Sequence, residues 1–288
     1  MSNINKLLQD LTLREKISLM SGFNSWYTNK IDRLGIPSIK MSDGPNGVRG
    51  DSNSGKSSAC FPCAISIGST WDMDLINQLG VALGEEAKVK DVDVLLGPTI
   101  NIHRHPLGGR HFESFSEDPF LTGKIATEYV QGVQSQDVAA CLKHFIGNDT
   151  EYERHLVSSN IDEKTLREIY LLPFEMGIKD GNAQVVMSAY NKLNNIYCSS
   201  HKELLIDILK DEWGFDGYVV SDWGAALETE ENANGGLDLE MPGPGHAWGD
   251  KLYAAVTEGK VEEELINDKV RRILNIASFS KRFENPEI

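Results

Sequence analysis

The sequence predicts an α/β fold: a TIM-like (β/α)8 barrel with one strand irregular or missing. Three observations lead there. Short apolar runs alternate with longer helical stretches, the pattern of βα units around a parallel sheet. Those runs end in polar or charged side chains, as in Gly217-Tyr-Val-Val-Ser-Asp222-Trp223, and parallel barrels do their chemistry at the C-terminal ends of their strands. The longest loops, 44–59, 97–117 and 147–160, fall just after strand ends, and long loops in compact domains are usually functional. With 288 residues, the length suits one barrel, so residues 1–288 are expected to form a single domain.

Taken in order, Leu7, Leu8, Leu11, Ile17 and Met20 are spaced like one face of a helix from Ile4 to Met20. Seven runs read as strands: Ser38–Asp43, Ala64–Ile67, Val92–Leu96, Val138–His144, Gln184–Tyr190, Gly217–Asp222 and Gly236–Glu240. Between them lie helical stretches. Asp72 to Lys90 has Asp72 as its cap, and Ser116 to Gln136 opens on Ser-x-Asp-Pro. Asp162 to Lys179 starts with Asp-Glu-Lys, and His201 to Glu212 follows a Ser-Ser pair. Lys251 to Phe279 reads as a helical pair broken at Gly259, and the residues after it read as the start of a linker.

Composition narrows the function. Hydrophobic residues make up 40% of the chain, enough for a sizeable core. A net charge of −15 argues against nucleic acid or an anionic membrane surface as a partner, since either needs a basic face. No apolar run approaches a membrane span. The N-terminus carries no pattern of a secretory signal, so a cytoplasmic location is expected. Cys60 and Cys63 form a CxxC, but Pro62 lies inside it and no second pair follows. These cysteines, with Cys141 and Cys198, read as buried free thiols. His103, His105 and His111 suggest a metal, yet no further pair is spaced to complete a coordination set, so no metal is expected. No cofactor loop is found either: Gly235-Gly236 and Gly243-Pro-Gly245 lack the Lys-Ser/Thr of a phosphate loop.

The side chains at the strand ends carry the chemistry. Asp222 follows a buried run, so its carboxylate should emerge at the barrel mouth as a nucleophile, base, metal ligand or structural acceptor. Trp223 beside it offers an aromatic wall, or a core side chain. Lys143 and His144 end another strand, and a buried lysine needs a carboxylate or polar partner. Arg110, after two glycines, can fork onto vicinal hydroxyls or staple the loop through Glu113. Asp43 starts a Gly/Pro turn. Charged hydrogen-bonding groups beside an aromatic wall suit a neutral polyol better than a phosphate or an apolar ligand.

Several longer stretches agree with this and carry a resemblance. Asn101-Ile-His-Arg-His-Pro-Leu-Gly-Gly-Arg-His-Phe-Glu-Ser-Phe-Ser-Glu-Asp-Pro119, Lys143-His-Phe and Met187-Ser-Ala-Tyr-Asn191 are three of them. Gly214-Phe-Asp-Gly-Tyr-Val-Val-Ser-Asp-Trp-Gly224 and Gly236-Leu-Asp-Leu-Glu-Met-Pro-Gly243 are two more. In this order they resemble glycoside hydrolase family 3, and most closely its β-glucosidase branch, from about Leu11 to the end of the chain.

The resemblance implies a retaining double displacement on β-linked glucosides with Asp222 as nucleophile. It implies that Asp43 grips the hydroxyls furthest from the scissile bond and that Arg110, Lys143 and His144 hold ring hydroxyls. Met187 and Tyr190 would line the floor and Trp223 would wall the first sugar site. A retaining enzyme needs a second carboxyl group as acid/base. In this branch it is a Glu from an α/β sandwich domain after the barrel, and the sequence stops where that domain would begin. His155 with Glu153, Glu240 and Glu151 are the substitutes within the chain. A small β-glucoside is therefore the expected ligand. The alternatives are a non-catalytic sugar-binding or scaffold barrel, or a half-enzyme completed by a separate sandwich-domain chain. Weak self-association is expected if barrel surface is left bare.

Overall fold

The structure, a computed structural model, describes residues 4–50 and 57–286. The chain divides into two compact units, Met41–Cys198 and Met1–Lys40 with Ser199–Ile288.

In the first unit, strands Met41–Asp43, Val94–Leu96, Ala139–Phe145 and Val185–Ser188 lie side by side in that order, all parallel. The last three are buried on both faces, which explains their unbroken apolar runs. Register pairs Met41 with Val94, Asp43 with Leu96 and Val94 with Ala139. It shifts once, between Leu142 and Phe145, where the chain leaves the regular ladder. Because the strands are parallel and in sequence order, Asp43, Lys143 and Ser188 share the C-terminal edge.

Two long helices cover this sheet, Met73–Val89 and Pro119–Gln134, capped by Asp72 and Asp118, whose side chains accept from Leu75 and Leu121. Glycines let them touch backbone to backbone. A Cβ on Gly132 would lie 2.3 Å from the Asn77 carbonyl, and one on Gly80 would lie 2.6 Å from that of Tyr129. A small second sheet pairs Ser158–Ser159 in parallel with Lys192–Leu193, which turns back on Ile196–Tyr197.

The second unit begins with two helices, Ile4–Asp10 and Leu13–Leu19. The single helix expected from Ile4 to Met20 is interrupted, because Thr12 and Glu15 form a capping box that starts a new helix there. Strand Tyr218–Ser221 bridges Leu239, and Ser21 bridges Glu240, both in parallel. The strand expected at Gly236–Glu240 is thus reduced to isolated bridges. Helices Asp250–Thr257 and Glu263–Phe279 follow, parted at Gly259, whose φ of +74° needs a residue without Cβ. The segment read as a linker is partly packed: Arg282 is buried. At the centre, Asp238 is fully buried. It accepts from the Val219 amide at 2.8 Å and from Lys210 at 2.7 Å, with Lys269 at 3.7 Å.

Other expectations need correction. Ala64–Ile67 is not a strand but the start of a helix, Ala64–Gly68, with buried Ala64 and Ile67 spaced to one face. A four-residue run alone cannot separate the two periods. Cys60 and Cys63 are exposed, since they lie in the irregular segment before that helix, whereas Cys141 and Cys198 are buried. Residues 51–56 of the first long loop lie outside the described residues. Among the described residues, no group of three or more His, Cys, Asp or Glu could hold a metal ion, and no helix is long and apolar enough to cross a membrane.

Candidate active site

Two groups of side chains stand where the sequence predicted chemistry, one in each unit. The larger is at the C-terminal edge of the parallel strands in Met41–Cys198. Lys143 is 4% exposed and meets Asp43 at 2.8 Å. Burial pushes the Asp43 carboxyl up, but the Lys143 charge and hydrogen bond, the Gly44 amide and Arg49 outweigh it and hold the group down at about 2. Arg49, which no sequence pattern singles out, reaches the other oxygen at 3.1 Å. Asp43 is thus a permanent carboxylate with two cations beside it.

His144, next along the strand, is buried. Its Nε2 lies 3.3 Å from Arg110 and its Nδ1 lies 3.1 Å from Asn101 Oδ1. Arginine can only donate, so Nε2 accepts and Nδ1 carries the proton towards Asn101. Burial, reinforced by the charges of Lys143, Arg110 and Arg154, holds His144 well below its ordinary value, so the ring is neutral. Asn101 is the orienter: it also accepts from the His144 amide at 2.9 Å and donates to its carbonyl at 2.9 Å.

Arg110 lies beside His144. Its guanidinium forks onto Glu113 at 2.8 and 2.9 Å and stands 4.0 Å from Glu151. The loop staple is therefore real, and it presets the plane of the guanidinium towards His144. Met187 is buried on its strand. Tyr190, just past the strand, is half-buried. The His155 ring meets it edge-on at 4.3 Å and the Arg154 guanidinium lies 4.8 Å from its centroid. Arg154, paired to Glu151 at 2.9 Å, is another residue the sequence reading missed. It sits on a loop with no strand signal to mark it.

The second unit carries Asp222 at the end of its strand, 7% exposed, with Oδ1 accepting from the Trp223 amide at 2.7 Å. Ser221 ties the strand end to Met241, accepting from its amide at 3.0 Å and donating to its carbonyl at 3.1 Å. Trp223 is not a core residue: it packs against Trp26, ring centroids 5.5 Å apart, and donates to the Ser25 carbonyl at 2.9 Å. Trp26 makes the platform double. It lies outside any strand, so periodicity could not find it. Glu240 serves structure: its carboxylate accepts from the amides of His246, Ala247 and Trp248.

One unit thus carries a neutral histidine and cations paired to fixed carboxylates, and the other a paired-tryptophan face beside Asp222. The chain belongs to glycosyl hydrolase family 3, whose description as the family's N terminal domain matches residues 10–276. It is 53% identical over 283 residues, 98% of the chain, to a β-glucosidase of Rhizobium radiobacter. Over the full length of this chain it is 48% identical to β-glucosidase B of Emericella nidulans. It spans 35% and 34% of those two proteins, about a third of each. Among solved structures, the Kluyveromyces marxianus β-glucosidase in complex with glucose superposes with a TM-score of 0.95 at 43% identity. That match covers 99% of this chain and 35% of the other. β-Glucosidase 3B of Thermotoga neapolitana in complex with α-D-glucose gives 0.93 at 39%, covering 99% and 44%. Likeness at this identity carries the fold class: the chain is α/β, of the TIM-like barrel kind.

Proposed function

We propose that the chain is the nucleophile-bearing part of a retaining β-glucosidase. Asp222 attacks the anomeric carbon of a β-glucoside, the glycosidic bond breaks, and the leaving oxygen departs with a proton. The ester between glucose and Asp222 is then attacked by water, whose proton passes to a base as glucose and the free carboxylate are released. Asp43, Lys143, Arg110 and His144 are the hydroxyl-binding groups, with Met187, Tyr190 and Trp223 as apolar walls. The proton donor is proposed to be a carboxyl group outside these 288 residues, as the family resemblance implies.

The observation that carries the reading is the set of buried polar groups around Lys143. Asp43 is held ionised, and His144 is held neutral with its proton assigned to Nδ1. Fixed donors and acceptors of both kinds match vicinal hydroxyls, each of which donates and accepts. An anionic ligand would instead meet the Asp43 carboxylate. The relatives and neighbours are named as β-glucosidases, two of them in complex with glucose.

The test is incubation with 2,4-dinitrophenyl 2-deoxy-2-fluoro-β-glucoside, followed by intact mass and peptide mapping. Dinitrophenolate leaves without a proton, so only the nucleophile is interrogated. A covalent fluoroglucosyl adduct on Asp222, lost in Asp222→Ala, is expected. Glucose binding with no adduct would move the assignment to a non-catalytic sugar-binding protein.

A further inference from the structure

Arg110 and His144 border a small cavity of about 10 Å³, on the order of one water. Thr99, Asn101, Arg110, His144, Asn148 and Asp149 are among the residues that line it. Two of its acceptors are unsatisfied among the described residues: Asn148 Oδ1 and Asp149 Oδ1 are both buried without a hydrogen-bond partner. A buried acceptor of this kind costs free energy and calls for a reason.

The surroundings of Asp149 supply one. The turn bearing Arg110 rests on the turn bearing Asp149, with no room for a side chain between them. A Cβ on Gly108 would lie 2.9 Å from the Asp149 carbonyl, and one on Gly109 would lie 2.8 Å from the Glu151 side chain. Tyr170, on the helical segment Leu166–Leu171, hydrogen-bonds Asp149 and itself accepts from Arg104. The charged and titratable groups facing Asp149 or sharing its cavity are therefore Arg104, Arg110, His111 and His144 from the loop and strand, and Tyr170 from the helix. Glu113 and Glu151 stand beyond them, on Arg110. Burial raises the Asp149 carboxyl to about 6, against the hydrogen bond from Tyr170 and the charges of Arg104 and His111.

We propose that Asp149 is a positioning residue: through the shared cavity, its ionisation sets how firmly Arg110 and His144 are held for a bound hexose. The inference rests on the reading that these two side chains hold a sugar. As a carboxylate, Asp149 attracts Arg104 and His111, which flank Arg110 in the same loop, and keeps the two turns together as one block. Once protonated, it releases that attraction while Glu113 keeps its grip on Arg110, and the guanidinium relaxes away from His144. The proton moves between solvent and the Asp149 carboxylate, and no other bond is made or broken.

The experiment is calorimetric titration with glucose at pH 7.5 and pH 5, together with an NMR pH titration of the His144 ring nitrogens, on the protein and on Asp149→Asn. Glucose should bind about fivefold more weakly at pH 5, the size of one charge interaction in a water-like dielectric. His144 should show a step near pH 6. Asp149→Asn should bind weakly at both pH values and lose the step. Tyr170→Phe, which removes a donor to the carboxylate, should move the step to higher pH. If Asp149→Asn keeps the step, or if Tyr170→Phe leaves its midpoint in place, the proposal is overturned. A His144 step that vanishes in Asp149→Asn, in a protein that binds no glucose at any pH, would uphold the coupling and sink the glycoside reading instead.

Discussion

Lys143 and Asp43 make an asymmetric pair, and the asymmetry predicts which partner the fold can spare. The lysine side chain is 4% exposed and the aspartate 32%. Asp43→Asn leaves a buried ammonium without its counter-charge, whereas Lys143→Met leaves a carboxylate that still has Arg49 and water. Removing one partner of a fully buried pair costs about 3–5 kcal/mol, and the partial exposure of Asp43 reduces this. An independent route starts from the fall of Asp43 from 3.8 to about 2. At about 1.36 kcal/mol per tenfold change in proton affinity this is roughly 2.4 kcal/mol, and solvent screening lowers it to about 1–2. We therefore expect Asp43→Asn to cost about 2 kcal/mol at pH 7, a fall in Tm of about 4–8 °C. Lys143→Met should cost about half as much, and the double variant should be no worse than Asp43→Asn alone.

The pH dependence has a definite sign. Asp43 is depressed in the folded protein, so its contribution is complete above about pH 4 and is lost as pH falls through about 2. The gap between the protein and Asp43→Asn, measured by urea unfolding, should close over that window. Lys143→Met costing more than Asp43→Asn, or a gap unchanged from pH 7 to pH 2, would refute the reasoning.

Two further outcomes are expected. Gly132→Ala places a methyl 2.3 Å from the Asn77 carbonyl and 2.9 Å from Gly80 Cα. The two helices must part, at a cost of about 1–3 kcal/mol in urea unfolding; a neutral result would mean they slide freely. Asp238→Asn strips the fully buried counter-charge from Lys210 and Lys269 and should cost about 3–5 kcal/mol. Unchanged stability would show that the buried ammonium groups find other acceptors.

The α/β class, the parallel strands and the strand-end positions of Asp43, Lys143, His144 and Asp222 were legible in the sequence. A strand buried on both faces writes itself as an unbroken apolar run, and the polar residue that ends it stands out. The runs at 64–67 and 236–240 misled because so few apolar residues, Ala64, Ile65 and Ile67 in one and Leu237 and Leu239 in the other, fit a helix or an irregular bridge as well as a strand. Thr12 and Glu15 spelled a capping box inside an otherwise continuous helical period. Local hydrogen bonding won there over periodicity.

Residue types at known positions also determined the kinds of chemistry available. Partners were another matter, since a side chain's charge state and orientation depend on groups far away in the chain. Asn101, 43 residues before His144, decides which ring nitrogen carries the proton, and Asp43 meets a lysine 100 residues on. Glu240 looked like a spare carboxylate until three backbone amides closed around it. Trp26 and Trp223, 197 positions apart in the numbering, became one platform only through folding. Sequence spacing encodes what the backbone repeats locally; burial and through-space electrostatics arise from long-range packing, and these set the working state of each group.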